Sequence, residues 1–284
     1  MDNPVGRLGV FPAPLVVAAP QYRHHQRVME ALVLAVHPYL PTDEVMTRFA
    51  PLAKALGRAL GAEIEVQVAA DYAKHIEAVG RDRVQLAYLG PVQYVQVVAR
   101  YGTKPLLARQ EVGHRPWLHG EIVVRADSPI RNVAELRGKR FAFGDRNSTM
   151  AHVVPMQMLE LAGVTQDRLA SFEFLGAHRN VALAVIEGRF DAGAIKKEVF
   201  DEYAAQGLRS IAPLPAMPDH LFVGASTLPE AQVRAARAFF TTLHQAPEGR
   251  DIITAIHPGM TALVPVEDSE YGRLRSLMGL AAVR

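Results

Sequence analysis

The sequence predicts an α/β fold with mixed, mainly parallel sheets, and three observations support this class. Short apolar runs of strand length alternate with longer segments in which apolar residues recur at helical spacing. Turn signals such as Gly90-Pro91 separate these segments. At 284 residues, the chain is long enough for one large domain or for two lobes of ordinary size. A repeated strand–helix–strand order is typical of parallel strands that are joined and covered by helices.

The first part of this pattern repeats a strand and a helix three times. A helix is predicted to begin at Thr42, with Glu44 in its first turn, and Pro51 either kinks this helix or marks its true start. Residues 63–69 alternate apolar and polar side chains, which indicates a strand with one buried face. The predicted strands span 31–36, 63–69 and 84–89, and the predicted helices span 42–60, 71–79 and 93–100.

The remainder of the chain continues the alternation with shorter elements. Further strands are predicted at 104–112, 120–124, 141–143, 172–175, 190–194, 210–214, 220–225 and 262–266. Further helices are predicted at 132–136, 149–163, 180–187, 198–205, 229–243, 248–256 and 271–280. No low-complexity linker divides the chain, so two lobes would have to be joined by strands that cross between them.

The composition excludes several classes of protein. Lys and Arg number 31 against 29 Asp and Glu, with no block of one sign, so no nucleic-acid partner is expected. The absence of cysteine excludes disulfides, thiolate nucleophiles and zinc–thiolate sites. The 11 histidines form no H-x-x-x-H or H-E-x-x-H pair, and the adjacent His24 and His25 would point to different faces of any element. We therefore expect neither a metal nor another cofactor.

Residues 1–29 are interpreted as a leader or an N-terminal extension. The apolar run Val10–Pro20 contains three prolines and follows a single basic residue, Arg7. A secretory signal has a charged start and an unbroken apolar core, and this run is too short and too interrupted to span a bilayer. The segment therefore predicts a weak or missing signal peptide. A cytoplasmic location stays open beside an exported one.

The stretch Phe141–Pro155 is the strongest candidate for a ligand site. A predicted strand ends at Phe143 in a Gly-Asp break, and three small polar residues, Asn147, Ser148 and Thr149, precede a predicted helix. The first N–H groups of a helix have no intrahelical acceptor, and together with the helix dipole they attract an anion. An ordinary helix N-cap has the same residue pattern. These residues alone therefore leave both interpretations open.

A series of short motifs follows in a specific order along the chain. They are P-L-A-x-x-L-G at 51–57, D-Y at 71–72, L-A-Y-L-G-P at 86–91, V-V-R-A-D-S-P-I at 123–130, L-R-G-K at 136–139, F-x-D-x-x-S-T at 143–149, G-A-H at 176–178, A-V-I-E-G-R-F-D-A-G at 184–193, and E-G-R followed by V-P-V-E-D-x-x-Y near the C-terminus. In this order they resemble the PhnD-type substrate-binding proteins of phosphonate, phosphite and phosphate ABC importers. The resemblance extends over most of the chain.

The resemblance implies a two-lobed periplasmic-binding-protein fold of type II, in which two crossover strands form the hinge. The first lobe would comprise residues 30–118 and 226–284, and the second lobe would comprise residues 120–222. Hinge segments are expected near 118–121 and 221–225. The implied function is that of a monomeric periplasmic protein without catalytic residues. It would capture a small phosphorus oxyanion in the cleft for an ABC permease or a membrane sensor.

The resemblance also implies which residues contact the ligand. Ser148 and Thr149 match the residues before the helix at which the family holds its anion, and His178 matches the family's binding histidine. Met150 and Ala151 stand where the family usually carries Ser-Gly, so the backbone N–H groups survive but one hydroxyl donor is lost. The candidate ligand-binding residues are Tyr72, Tyr88, His119, Asn147, Ser148, Thr149, Met150, Ala151, His178, Glu198 and His220.

Two departures from the family pattern bear on the ligand, although Tyr72 matches the first-lobe tyrosine that closes over it. Where aminophosphonate binders carry a tyrosine before the second-lobe strand, this chain has Leu118 followed by His119. Where some members hold a ligand ammonium group with two carboxylates, Glu198 is present but the second position is His220. One carboxylate beside a histidine is a poorer site for an ammonium group. These departures favour an oxyanion without an amine.

Two other functions stay open beside binding and transport. An enzyme on the same fold would need an acid–base pair, for which Glu198 with His178 or His220 is available. The effector domain of a regulator would be accompanied by a DNA-binding region, but the sequence contains no helix-turn-helix pattern.

Overall fold

Two large sheets with helices packed against them form the fold, and the computed structural model describes residues 31–280. The predicted leader at 1–29 lies outside the described residues. The strands are β1 Leu32–Val36, β2 Ile64–Val68, β3 Leu86–Leu89, β4 Leu106–Val112, β5 Trp117–Leu118, β6 Gly120–Arg125, β7 Arg140–Phe143, β8 Ser171–Phe174, β9 Ala192–Lys196, β10 Leu208–Pro213, β11 Met217–Pro218, β12 Leu221–Gly224 and β13 Met260–Val264. The helices are α1 Thr42–Leu60, α2 Tyr72–Gly80, α3 Pro91–Tyr101, α4 Val154–Leu161, α5 His178–Ile186, α6 Lys197–Tyr203, α7 Glu230–Thr242, α8 Gly249–Ile256 and α9 Gly272–Leu277. None of the helices in this part of the chain is both long and apolar enough to cross a bilayer.

The strands are arranged in two separate large sheets. One has six strands in the order β13-β4-β12-β3-β1-β2, and the other has five in the order β10-β6-β9-β7-β8. Parallel pairs join β1 to β2 and β3, and β7 to β8 and β9, whereas the other pairs of these sheets are antiparallel. The predicted α/β class with mixed sheets is therefore confirmed, although parallel pairs do not predominate. We call the part built on the six-stranded sheet the first lobe and the other part the second lobe.

Between residues 31 and 280 the chain crosses between the lobes twice, and the crossing segments pair with each other. β5 leads from β4 to β6, β11 leads from β10 to β12, and β5 and β11 form a two-stranded antiparallel sheet. The hinge predicted near 118–121 coincides with the first crossing. The hinge predicted at 221–225 is wrong, because β12 lies inside the six-stranded sheet, paired with β3 and β4. The second lobe therefore ends before β12 rather than at residue 222, while the other predicted lobe limits stay predictions.

Two helices differ from their predicted form. Helix α1 is continuous across Pro51, which therefore does not mark its start. The helix predicted at 149–163 begins with a π-helical turn, Thr149–Val153, and becomes α-helical only at α4. Pro155 lies in the first turn of α4, directly after the π-helical turn, and has no N–H group to donate to that turn. The carbonyl group of Ala151, four residues earlier, instead accepts a hydrogen bond from the N–H group of Gly144 at 3.0 Å. Because π-helical turns occur frequently at functional sites, this turn draws attention to the same stretch as the sequence did.

The carboxyl ends of the parallel strands in both sheets face a common cleft. Since β1 and β3 are parallel neighbours, the residues that follow them, His37 and Gly90, lie at the same edge of the first sheet. β7 and β9 are also parallel, so the loop after β7 and Lys196 at the end of β9 lie at one edge of the second sheet. Ligands of open α/β sheets bind at this edge. The topology therefore places the segments that line the cleft.

Buried aromatic side chains fix the strands that end at this cleft. Phe222 of β12 has no solvent exposure and stacks on Phe240 of α7, with ring centroids 4.5 Å apart. In the second lobe, Phe141 and Phe143 of β7 are equally buried and lie 4.6 Å apart. Each side chain of this size stabilises the folded state by about 1.5–3 kcal/mol when fully buried. The strand ends that present the cleft residues are therefore firmly held.

Candidate functional site

A cavity of about 600 Å³ lies in the cleft between the two lobes. Its walls come from the loop after β1, the starts of α2 and α3, the segment before α4, the start of α5 and the end of β9. The polar and ionisable side chains that line it are His37, Tyr39, Glu44, Arg48, Tyr72, Gln93, Asn147, Ser148, Thr149, His178, Arg179, Asn180, Lys196, Glu198, Glu202, His220 and His257. A cavity of this size is typical of a small-molecule site.

The second-lobe side of the cavity is built on the start of the helical segment after β7. Ser148 caps this segment, because its Oγ accepts a hydrogen bond from the N–H group of Ala151 at 3.2 Å. Thr149 and Met150 follow, and the first N–H groups of a helix have no intrahelical acceptor. Ser148, Thr149 and Met150 are all buried, and all line the cavity. An anion bound here would meet free N–H donors and the positive end of the helix dipole.

His178 faces Ser148 with the positions of its ring hydrogens set by the backbone. Its Nδ1 accepts a hydrogen bond from the N–H group of Lys196 at 3.1 Å, so Nε2 carries the hydrogen of the neutral ring. Nε2 lies 3.4 Å from Ser148 Oγ. Burial, with smaller effects of Lys196 and His220, lowers the pKa of His178 to about 3. At neutral pH His178 is therefore an uncharged hydrogen-bond donor at the anion side of the cavity.

Lys196 gives the same side of the cavity a positive charge. Its side chain lines the cavity, and within residues 31–280 no carboxylate oxygen lies within 4.0 Å of its ammonium group. The two arginines at the cavity wall are instead paired with carboxylates, Arg48 with Glu44 at 2.6 Å and Arg179 with Glu202 at 3.5 Å. An ammonium group without a carboxylate partner attracts an anionic ligand more strongly than a paired guanidinium does.

Gln93, at the start of α3, supplies a further donor that the sequence did not single out. The side chain is 0% exposed, and its Oε1 accepts a hydrogen bond from the N–H group of Gly90 at 3.0 Å. Its Nε2 has no hydrogen-bond partner within the described part of the chain. A buried amide N–H that is left without an acceptor costs about 1–3 kcal/mol. Because Gln93 lines the cavity, an oxygen of a ligand is a suitable acceptor.

Two hydrogen bonds join the lobes beside the cavity. The N–H group of Val92 in α3 donates to Thr149 Oγ1 at 3.2 Å, and Gln96 Nε2 donates to Asn147 Oδ1 at 3.0 Å. Both acceptors belong to the segment that caps the anion side. Thr149 thus contacts the opposite lobe and also lines the cavity, so the distance between the lobes affects the geometry of the ligand site.

The first-lobe side of the cavity contains a stack of rings. His37 lies 5.4 Å from His220 and 5.6 Å from Tyr88, with the ring planes nearly parallel in both pairs. Burial and the neighbouring histidines lower the pKa of His37 well below its ordinary value. Tyr39 completes this side and lies 5.9 Å from the ammonium group of Lys196, a cation–π contact. This side therefore offers flat, largely uncharged surface rather than a series of donors.

A buried carboxylate lies behind the stack. Asp219 is 1% exposed, and its Oδ1 receives hydrogen bonds from His220 Nδ1 at 2.9 Å and from Gln110 Nε2 at 2.8 Å. Gln110 in turn accepts a hydrogen bond from the hydroxyl group of Tyr88. This chain of contacts fixes the orientation of the His220 ring and keeps the Tyr88 hydroxyl turned away from the cavity.

The structure brings most of the predicted ligand residues together. The predicted residues that line the cavity are Tyr72, Asn147, Ser148, Thr149, Met150, His178, Glu198 and His220. Ala151 lies behind this surface, where its N–H group is used by Ser148. Tyr88 lies behind His37 and His220, with its hydroxyl bonded to Gln110. His119 is outside the cavity lining, so its predicted contact with the ligand finds no place in this geometry.

Sequence reasoning missed His37, Gln93 and Lys196. A usable signal existed, since His37 follows the apolar run of β1 and Lys196 ends β9, and polar residues at the carboxyl ends of parallel strands often contact ligands. Gln93 carried the signal of a capping box, in which the residue at the third helical position bonds back to the cap. Within the described residues, no three metal-binding side chains lie close enough together to hold an ion.

Most of this chain, including the cavity-lining residues, matches a known protein family. A family described as the ABC transporter, phosphonate, periplasmic substrate-binding protein matches residues 34–271. This range contains all of the cavity-lining residues given above. Members of the family are substrate-binding proteins, and the match therefore gives no support to the enzyme that the sequence left open.

Individual relatives carry related names. The phosphate-import protein PhnD of Mycolicibacterium smegmatis is 31% identical over 185 residues, which are 61% of this chain and 57% of the relative. The phosphonates-binding periplasmic protein of Escherichia coli is 22% identical over 244 residues, which are 81% of this chain and 71% of the relative. The chain thus spans little more than half the length of the first of these proteins.

A solved structure supports the same architecture. PhnD1 from Prochlorococcus marinus, in complex with methylphosphonate, superimposes with a TM-score of 0.78 at 20% identity. The superposition covers 87% of this chain and 96% of that chain. This likeness confirms the two-lobed periplasmic-binding-protein fold that the order of motifs predicted.

Proposed function

The chain belongs to the family of periplasmic substrate-binding proteins of phosphonate ABC transporters, and we propose that it captures a small phosphorus oxyanion in the interlobe cleft. Phosphonate, phosphite and phosphate are the ligand types in question. The names of its relatives support this range, since one is a phosphate-import protein and another is a structure with methylphosphonate. The loaded protein delivers its ligand to an ABC permease or a membrane sensor and catalyses no reaction.

The convergence of donors at the second-lobe side of the cavity carries this proposal. The N–H groups of Thr149 and Met150, the Nε2–H group of His178 and the ammonium group of Lys196 all belong to the cavity wall. Gln93 adds an amide N–H from the first lobe. A phosphoryl group offers three strong acceptor oxygens and a negative charge. Each hydrogen bond to such a charged group contributes roughly 1.5–3 kcal/mol.

The carboxylate content of the cavity favours a ligand without an amine. Glu198 and His220 both line the cavity. A single carboxylate beside a histidine stabilises an ammonium group less than a pair of carboxylates does, because the histidine adds no negative charge. We therefore expect phosphite, methylphosphonate or phosphate to bind more tightly than aminoethylphosphonate.

The family description supports a proposal for the site of action. We propose that the protein works in the periplasm, as the name of its Escherichia coli relative indicates for that protein, and that it acts there as a monomer. A net charge of +2 gives no reason to expect nucleic acid as a partner. Fractionation of cells that express the full-length gene product tests the location, and a product found entirely in the cytoplasm would favour a cytoplasmic sensor instead.

A thermal-shift titration with a panel of anions tests the proposed function. The panel comprises phosphate, phosphite, methylphosphonate, aminoethylphosphonate and arsenite. A ligand at about 100 times its dissociation constant stabilises the folded protein by roughly 2.7 kcal/mol, which raises the melting temperature by several degrees for a chain of this size. Thr149→Val should reduce this rise, whereas Thr241→Val on α7 makes the same chemical change outside the cavity. Absence of a shift with every phosphorus oxyanion would overturn the proposal.

A further inference from the structure

Two histidines that line the cavity present the same ring nitrogen, Nε2, to it, but as a donor in one ring and as an acceptor in the other. The backbone N–H group of Lys196 donates to His178 Nδ1, so His178 can only donate from Nε2 when it is neutral. His220 has the reverse arrangement, because its Nδ1 lies 2.9 Å from the carboxylate of Asp219 and therefore carries the hydrogen. Neutral His220 consequently has a bare lone pair on Nε2, and it accepts a hydrogen bond rather than donating one.

The position of the His220 ring is well determined. Asp219 Oδ1 receives three donors, the Nδ1–H and backbone N–H groups of His220 and the Nε2–H group of Gln110, at 2.9, 2.7 and 2.8 Å. The ring of His220 also stacks with the rings of His37 and Tyr88, and its centroid lies 5.4 Å from the centroid of each. These contacts hold Nδ1 on Asp219, so the ring cannot flip to expose the other nitrogen without losing a buried hydrogen bond.

The free nitrogen of His220 faces the ligand cavity. A Cβ atom added at Gly90 would lie 3.5 Å from Nε2, closer than to any other atom of the His220 ring, and both residues line the cavity. A fully deprotonated oxyanion has only acceptor oxygens, so a bare Nε2 would repel it. The repulsion disappears when one proton lies between Nε2 and a ligand oxygen.

We propose that the cleft binds its oxyanion together with one proton, which lies between His220 Nε2 and a ligand oxygen and is supported by Asp219. This inference rests on the proposed function and adds that the ligand is an acid whose last proton has a pKa near neutrality, as phosphonates, phosphite and phosphate are. The second pKa of a phosphoryl group is about 6. Either the monoanion donates its P–OH hydrogen to neutral His220, or the dianion accepts from the imidazolium ion. Both routes give the same complex with the same number of protons.

Several other charged or titratable groups face His220 and enter any pH dependence. They are Asp219 beside it, His37 and Tyr88 in the stack, and Lys196, Glu198 and His257 across the cavity. Of these, His37 and His257 are kept uncharged by burial, which lowers the pKa of each, that of His257 to about 4. The pKa of Tyr88 is raised well above its ordinary value by burial. Above neutral pH, these three groups therefore keep one protonation state and add nothing to the protons counted on binding.

Isothermal titration of the purified full-length protein with methylphosphonate and with phosphite tests the proposal. Repeating each titration at about pH 8 in buffers with different ionisation enthalpies counts the protons taken up, and about one per ligand is expected. Between about pH 8 and pH 9 the dissociation constant should rise about tenfold per pH unit, because the complex holds one proton more than its free components. Failure of both ligands to bind would overturn the proposed function as well. Binding without proton uptake would overturn this inference alone.

Two substitutions locate the proton. His220→Gln presents an amide that donates without taking up a proton, so its proton count should fall to about zero and its affinity should become independent of pH in this range. His244→Gln, on the exposed turn after α7, is the matched control and should keep the slope of the wild-type protein. If His220→Gln does not fold, His220→Asn serves the same purpose. Proton uptake that persists in the folded variant would place the proton elsewhere and contradict the proposal.

Discussion

The two walls of the cleft meet a ligand with different chemistry. In the wall from the second lobe, the side chains of Ser148, Thr149 and His178 each accept a hydrogen bond from a backbone N–H group within the lobe or across the cleft. In the wall from the first lobe, His37 and Tyr88 form a ring stack whose polar atoms are mostly bonded behind the surface. One wall therefore supplies most of the hydrogen-bond donors, whereas the other supplies shape and two polar contacts, from Gln93 and His220.

Acid should destabilise the protein strongly, because buried neutral histidines occur in both lobes. Burial lowers the pKa of His178 to about 3 and the pKa values of His75 and His257 to about 4, from an ordinary value of 6.5. The unfolded chain binds protons at these residues near pH 6.5, whereas the folded chain does not. Stability is therefore fully present above pH 6.5 and is lost as the pH falls toward 4, at about 1.4 kcal/mol per pKa unit and per histidine.

Urea unfolding at several pH values between about 7.5 and 4.5 measures this loss. His75→Gln should flatten the dependence, since His75 is 0% exposed and its Nε2 lies 3.0 Å from the carbonyl oxygen of Tyr88, a contact that an amide group can reproduce. The exposed His244→Gln serves as the control. A free energy of unfolding that stays constant over this range would show that these histidines are not held neutral.

His178→Ala should weaken ligand binding more than any comparable change in the opposite wall. The substitution removes an Nε2–H donor at the anion side, and a hydrogen bond to a charged group contributes about 1.5–3 kcal/mol, or roughly 10- to 150-fold in the dissociation constant. Calorimetric titration with the tightest ligand of the panel measures the change. An affinity within about twofold of the wild-type value would remove His178 from the ligand site.

Tyr88→Phe should show the opposite behaviour, with a loss of stability and little loss of affinity. The hydroxyl group of Tyr88 donates to Gln110, which is 4% exposed, and its removal leaves a buried acceptor without a donor. We expect the free energy of unfolding to fall by about 1–3 kcal/mol. The dissociation constant should change by less than about threefold. A large loss of affinity in a stably folded variant would return Tyr88 to the ligand site that the sequence predicted for it.

Gln96→Ala should have the smallest effect, because Gln96 lies outside the cavity and acts through Asn147. Loss of one neutral hydrogen bond between the lobes costs about 0.5–1.5 kcal/mol and should weaken every ligand by the same factor. Trp117 is the single tryptophan of the chain and belongs to the crossing strand β5, so its fluorescence reports on closure. If Gln96→Ala weakened some ligands much more than others, Gln96 would not act through lobe closure alone.

The sequence predicted the second-lobe wall better than the first-lobe wall. Ser148 and Thr149 are adjacent and stand at the start of a helix, so local rules of helix capping were enough to mark them. The first-lobe wall instead joins His37, Tyr88 and His220, which are far apart in the sequence. Only the pairing of β1 and β12 with β3 brings these residues together.

The fold shows the same difference between local and distant information. Strands and helices were predicted from short periodic segments, and most were found within a few residues of their predicted limits. The hinge at 221–225 was placed wrongly, because the apolar run Leu221–Gly224 has the same pattern whether it crosses between lobes or pairs inside a sheet. The pairing of Trp117–Leu118 with Met217–Pro218 depends on two-residue strands that carry no periodic signal at all.

A crystal structure of the complex with the phosphorus oxyanion that binds most tightly tests the division between the two walls most directly. We predict that the oxygens of the ligand lie within about 2.7–3.2 Å of the backbone nitrogens of Thr149 and Met150 and of His178 Nε2. The ring stack on the opposite wall should contact the ligand mainly through His220. An anion held instead by Arg48 and Arg179 at the cavity wall, with the start of the Thr149 helix empty, would contradict this account.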